Sequence, residues 1–206
     1  MSTVEIIKEF REILENIEIL YNDCVWGFHG NRESIENLEN TDEASKIEML
    51  VFLRSSGIVP IPNPIEFLDH PAPYNYGAIN GAESRRTKHF TLRKFKLRNS
   101  SGGENYRFVG NMCVVQVFEY WENHYRNKIA ISQNKKKDDI QIDVFDDLRH
   151  LRQAILHHKG IATKKVAKAS ILKWFKDADT IYFQPENIKE IFNLVFQELD
   201  LIVGMK

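Results

Sequence analysis

The stretch Asp143–Gly160, DVFDDLRHLRQAILHHKG, constrains the chain most, because one unbroken helical pattern gives it both a buried and a polar side. At about 100° per residue, Val144, Leu148, Leu151 and Ile155 fall on one narrow stripe, which predicts burial along a helix. Roughly opposite lie Asp146, Arg149, His150, Gln153 and His157. Arg152 sits at the seam, where its stem can lie along apolar surface and its guanidinium reach round. His158 turns back toward the apolar stripe, so His157 is the better placed of the two adjacent histidines. Gly160 is expected to end the helix in the left-handed conformation.

An Arg and a His on the outer face of a helix are ordinary solvated residues in many proteins. The run DLRHLRQAILHHKGIA nevertheless resembles the signature helix of HEPN-domain proteins, marked by an Arg, a polar neighbour and a His four to six residues on. The upstream run FEYWENHYR is similar to the Trp-Glu-bearing helix of several such families. The resemblance covers about residues 109–180. Those families are all-α, commonly dimeric, and many are metal-independent endoribonucleases of defence and toxin systems.

The resemblance implies a HEPN-like helical bundle with Arg152 and His157 as the catalytic pair at a homodimer cleft. Gln153, Arg149, His150 and Glu122 would support them. RNA would be the substrate, and a cognate antitoxin or regulatory protein a further partner. No cofactor is implied. Gln153 stands where Asn, Asp or His is more usual, which keeps a hydrogen-bonding group but changes its reach. A non-catalytic HEPN-like module that binds RNA or a partner protein is the alternative; a helical scaffold with no nucleic-acid role comes third.

The chemistry follows from what the chain lacks. Nothing in the sequence reads as a cluster of carboxylates or cysteines for a catalytic metal, nor as a P-loop, a GxGxxG turn or a Ser or Cys nucleophile motif. Phosphodiester cleavage would then use the nucleophile inside RNA, the 2′-hydroxyl. An imidazole, which titrates near pH ~6.5, can take or give that proton at neutral pH. Arg152 can fork onto phosphate oxygens and offset the charge that grows in the transition state. One metal reading competes: Asp146, His150 and His157 share a helix face. The seven residues between the histidines rise about 10.5 Å, too far for both to bind one ion without a bent geometry.

The 206 residues suit one domain, 1–206, with residues 57–104 as an irregular basic insertion. No apolar run approaches the ~20 residues of a membrane span, and the N-terminus lacks a basic-then-apolar signal pattern. Cys24 and Cys113 read as buried free thiols, consistent with a reducing cytoplasm. A cytoplasmic chain is expected. The formal net charge of −1 argues against indiscriminate coating of nucleic acid. Charge is nonetheless uneven: residues 1–50 hold twelve Asp/Glu against four Lys/Arg, while residues 84–103 hold seven Lys/Arg and no acid.

Apolar residues at three- and four-residue steps predict a first helix over Met1–Phe28, with Ser34–Asn40 adding a turn or two. Thr41 and Asp42 can cap a second helix running to about Arg54. Five of the six prolines lie between Pro60 and Pro73, which favours extended backbone. Alternation in His89–Arg98 predicts a short strand, one arm of a hairpin, with Arg93, Lys94, Lys96 and Arg98 as RNA-contacting residues. A solvated edge strand protected by its charges is the weightier reading of that segment. A central buried helix is expected over Asn105–Lys128, where Glu122 pairs either with Arg126 at i+4 or with Arg152 or His157. Lys164–Lys176 reads as a basic helix or pair of turns, Thr180–Phe183 as strand-like, and Pro185–Val203 as the last helix. The fold class expected is mainly α, with an extended, partly β insertion between the second and central helices.

Overall fold

In a computed structural model the structure describes residues 1–48, 68–69, 72–73 and 89–204. The chain is mainly helical, and it divides into two compact units: Met1–Val25 with Tyr106–Lys206, and Trp26–Asn105. Helix α1 (Thr3–Asn40) contributes residues to both. It runs straight through the Phe28 boundary read from sequence. Gly27 and Gly30 each cost a helix only about 1 kcal/mol, and the Arg32–Glu36 and His29–Glu33 pairs sit at helical i,i+4 spacing.

In the first unit the core is built on aromatic stacking. Phe10 of α1 lies over Tyr125 at 4.5 Å, and Trp121 lies over Phe145 at 4.1 Å with the rings nearly parallel. Trp121 and Tyr125 come from a π-helical turn, Trp121–Tyr125, set between α3 (Glu104–Tyr120) and α4 (Arg126–Ser132). The wider turn carries both rings inward, at 2 % exposure each. The expected central helix is therefore present, longer than read and interrupted. Polar contacts fix the packing: Tyr125 donates its hydroxyl to Glu9 at 2.7 Å, and Arg11 donates to the Phe196 carbonyl at 2.8 Å.

Helix α5 (Asp143–His157) buries Val144, Leu148 and Leu151 as expected, with Ile155 half-buried. It ends where Gly160, at φ +73°, donates its N–H to the Ala154 carbonyl at 3.1 Å. Helix α6 (Pro185–Val203) matches the range read from sequence, with Ile188, Ile191, Phe192, Val195 and Leu199 buried. Between α5 and α6 the chain is a series of turns around a 3-10 turn, Val166–Lys168, so the pair of turns rather than a basic helix is found. Thr180 makes only an isolated bridge to Ile161. The segment is held by Asp147. Its buried carboxylate accepts the backbone N–H groups of Ser170, Ile171 and Leu172 at 3.0, 2.8 and 2.9 Å.

The second unit corrects the expected partly β insertion. Among the described residues, extended pairing is confined to two residues on each side, β1 (Ala72–Pro73) against β2 (His89–Phe90). Leu92–Arg98, expected as a strand, is helix α2. Thr91 supplies the reason, since its hydroxyl accepts the Lys94 N–H at 3.1 Å and starts a helical turn. Asn99, fully buried, closes it by donating its side-chain amide to the Phe95 carbonyl. Gly103 completes the turn that follows: a Cβ there would overlap the Leu97 and Arg98 carbonyl oxygens. Asp42 does accept the Ser45 N–H at 2.9 Å and begins a helical turn over 43–48. The remainder of that second helix and the alternating prolines at 60, 62 and 64 lie outside the described residues. Cys113 is buried, whereas Cys24 is exposed on α1, against expectation. Among the described residues no helix is long and apolar enough to cross a membrane.

Candidate functional site

The end of α5 opens onto a cleft of about 720 Å³, within the ~300–1,000 Å³ common to small-ligand sites. Helix α5 contributes Gln153 and His157, and its cap contributes His158 and Lys159. The following segment adds Thr163, Lys164 and Lys165, while Asp177 and Ala178 line it from the far end of the turns. Local backbone chemistry assembles these groups. Ala162 exchanges bonds with the 178–179 segment, donating to the Asp179 carbonyl at 2.8 Å and accepting from the Ala178 N–H at 2.9 Å. The Ile181 N–H closes on the Gly160 carbonyl at 2.7 Å.

Two lining residues, Lys159 and Ala178, hold φ values of +56° and +69°. Such left-handed backbone is unfavourable for residues with a Cβ and tends to cluster where function constrains the chain. Among the described residues, three lysines, two histidines and one aspartate line the cleft, a positive balance suited to an anion.

His157 is exposed in this cleft, and among the described residues its imidazole has no hydrogen bond or ion pair. His158, expected to turn back toward the core, is exposed and lines the same cleft. The reason is its conformation: at φ −118° and ψ 23° it has left the helix, so helical phase no longer sets its direction. Gln153 is exposed beside His157.

Arg152 is not part of the lining. Its Nε and Nη2 both reach Glu119 Oε1, at 2.8 and 2.7 Å, which ties α5 to α3. Glu122, the alternative partner, is engaged elsewhere: Arg126 lies 3.0 Å away at i+4, and Lys137 2.6 Å away. Partial burial would raise the Glu122 pKa, but the hydrogen bonds from Lys137 and Arg126 outweigh it and hold the carboxyl below its ordinary range. Arg149 is exposed and paired with Asp146 at 3.3 Å. His150 is half-buried, with a buried Nδ1 that has no hydrogen-bond partner among the described residues. Burial first, and then the charges of Arg149 and Lys165, lower its pKa, outweighing Asp146 and Asp147.

The basic residues of the second unit form no strand face. Arg93 lies 2.8 Å from Asp69, and Lys96 binds Glu39 at 2.5 Å with Glu36 at 3.6 Å. Arg98 sits 5.9 Å from the Phe95 ring centroid, and Lys94 is exposed. Arg93 and Lys96 thus already face carboxylates. The metal reading finds no support: among the described residues no three His, Cys, Asp or Glu side chains come together as a metal site.

Sequence reasoning missed Lys159, Lys164, Lys165 and Asp177, which belong to turns with no periodicity to read. It also missed Asp147, for which a signal existed. That residue sits three positions after Val144 and four before Leu151, a carboxylate on the buried stripe. Comparison with family models, with curated proteins and with solved structures gives no match.

Proposed function

We propose that the chain is a metal-independent endoribonuclease of the HEPN type, acting at the cleft that holds His157. The observation that carries the reading is His157, unpaired among the described residues, in an open cleft lined by Lys159, Lys164 and Lys165. In this reaction the imidazole takes the 2′-hydroxyl proton as O2′ attacks phosphorus, while cationic groups offset charge on the non-bridging oxygens. The bond to O5′ breaks as a second acid gives O5′ a proton, leaving a 2′,3′-cyclic phosphate and a 5′-hydroxyl. For Arg152 to join, it exchanges Glu119 for a phosphate oxygen. The working form is a two-fold homodimer that meets across the Arg149–His157 face, and a monomer by sedimentation at tens of micromolar counts against that assembly.

Incubation with total RNA tests the activity. The expected outcome is cleavage that survives EDTA, spares DNA of the same sequence and is lost in His157→Ala. Cleavage that vanishes with EDTA and returns with a divalent cation overturns the mechanism.

One observation favours a second reading, a non-catalytic RNA-binding module. Arg152 is held by Glu119 and does not line the cleft. Under that reading the same incubation gives salt-sensitive RNA binding without cleavage.

A further inference from the structure

We propose that His158 is the second proton-transfer group of the cleft, so that one protomer holds both the base and the acid for RNA cleavage. The inference rests on the ribonuclease reading above.

Consecutive residues inside a helix point about 100° apart and do not normally serve one site. Here the helix ends between the two. His157 is its last residue and His158 its cap, and both residues line one cleft. The backbone of His158 is fixed on both sides, its N–H donating to the Ala154 carbonyl and its carbonyl accepting the Ile161 N–H, each at 3.0 Å. Its imidazole is exposed, and among the described residues neither imidazole is tied by a hydrogen bond or ion pair. Lys159, Lys164 and Lys165 line the same cleft with charge that suits a phosphate, with Asp177 the one acid among the described lining residues.

The reaction needs two proton movements at one phosphate. One imidazole accepts the proton of the 2′-hydroxyl as the O2′–P bond forms. The other donates a proton to O5′ as the P–O5′ bond breaks. Nothing is oxidised or reduced, and no water enters this step. At a homodimer cleft that second imidazole would be the partner subunit's His157. Here an adjacent residue of the same chain supplies it.

The test compares the parent with His157→Ala and His158→Ala on an oligoribonucleotide, and on the same oligonucleotide with sulfur replacing O5′ at the phosphate the parent cleaves. A thiolate departs without being protonated. The variant lacking the acid therefore recovers on the sulfur substrate, and the variant lacking the base does not. Each substitution is expected to slow cleavage of the oxygen substrate by on the order of 10²-fold or more, with recovery in one of the two alone. An equal mixture of the two variants stays inactive, because no protomer then holds both imidazoles. His158→Asn, which keeps a polar side chain at the helix cap, is expected to match His158→Ala and guards against a folding defect. Parental activity in His158→Ala, recovery in neither variant, or an active mixture overturns the proposal and leaves the ribonuclease reading standing. An inactive parent overturns both.

Discussion

Arg152 directs both Nε and Nη2 to one oxygen of Glu119, and the second oxygen of that carboxylate accepts the side-chain amide of Asn123. The guanidinium is thus engaged before any ligand arrives. Both partners are about a third exposed, so breaking the pair should change stability by no more than ~1 kcal/mol.

Glu119→Gln should therefore release Arg152 without unfolding the chain. Under the ribonuclease reading, RNA affinity rises severalfold in this variant and falls in Arg152→Ala. Filter binding at fixed salt measures both. Equal affinity in all three proteins places Arg152 in a purely structural role.

Removal of the Asp147 carboxylate leaves the buried Leu172 N–H and its neighbours Ser170 and Ile171 without their acceptor. Asp147→Ala is expected to lower unfolding stability by about 3 kcal/mol, since hydrogen bonds to a charged group are worth roughly 1.5–3 kcal/mol each and relaxation recovers part. Urea denaturation gives the number. A loss under about 0.5 kcal/mol means the turns are held by their apolar contacts alone.

His157→Ala should stay within about 1 kcal/mol of the parent, as surface substitutions usually do. Leu151→Ala, at a position 1 % exposed, should lose on the order of 2–5 kcal/mol by opening the core. If the two variants melt alike, the division between the cleft and core faces of α5 is wrong.

His150 adds a pH dependence of known sign. Its folded-state pKa is lowered, by burial first and by Arg149 and Lys165 next. The unfolded chain therefore binds the proton more readily. The contribution is fully present above the unfolded value of about 6.5 and is lost as pH falls from there toward the folded pKa. Comparing the parent with His150→Gln by chemical denaturation between pH 7.5 and pH 5 isolates the slope, which should be shallower in the variant.

The parts legible in the sequence were those where periodicity and burial agree. Val144, Leu148 and Leu151 gave α5 its buried side, and Ile188 to Leu199 gave α6 its own. His89–Arg98 misled because alternating charges suit a strand, while one capping hydroxyl at Thr91 sufficed for a helix. The site was half readable. His157 could be singled out from its helix face, but the direction of His158 depended on where the helix stops. The cleft lysines depended on turn geometry fixed by Gly160, Ala178 and Asp147 acting together, which no local pattern encodes.

Every described residue lining the cleft falls between Gln153 and Ala178. Its contacts therefore close shorter loops than the pairing of Phe10 with Tyr125, and less loop entropy is lost in bringing them together. The histidines and lysines can gather as soon as α5 and the turns after it have formed, while partners far apart in sequence, such as Phe10 and Tyr125, must still find each other. On this ground the cleft is expected to form before that pairing does.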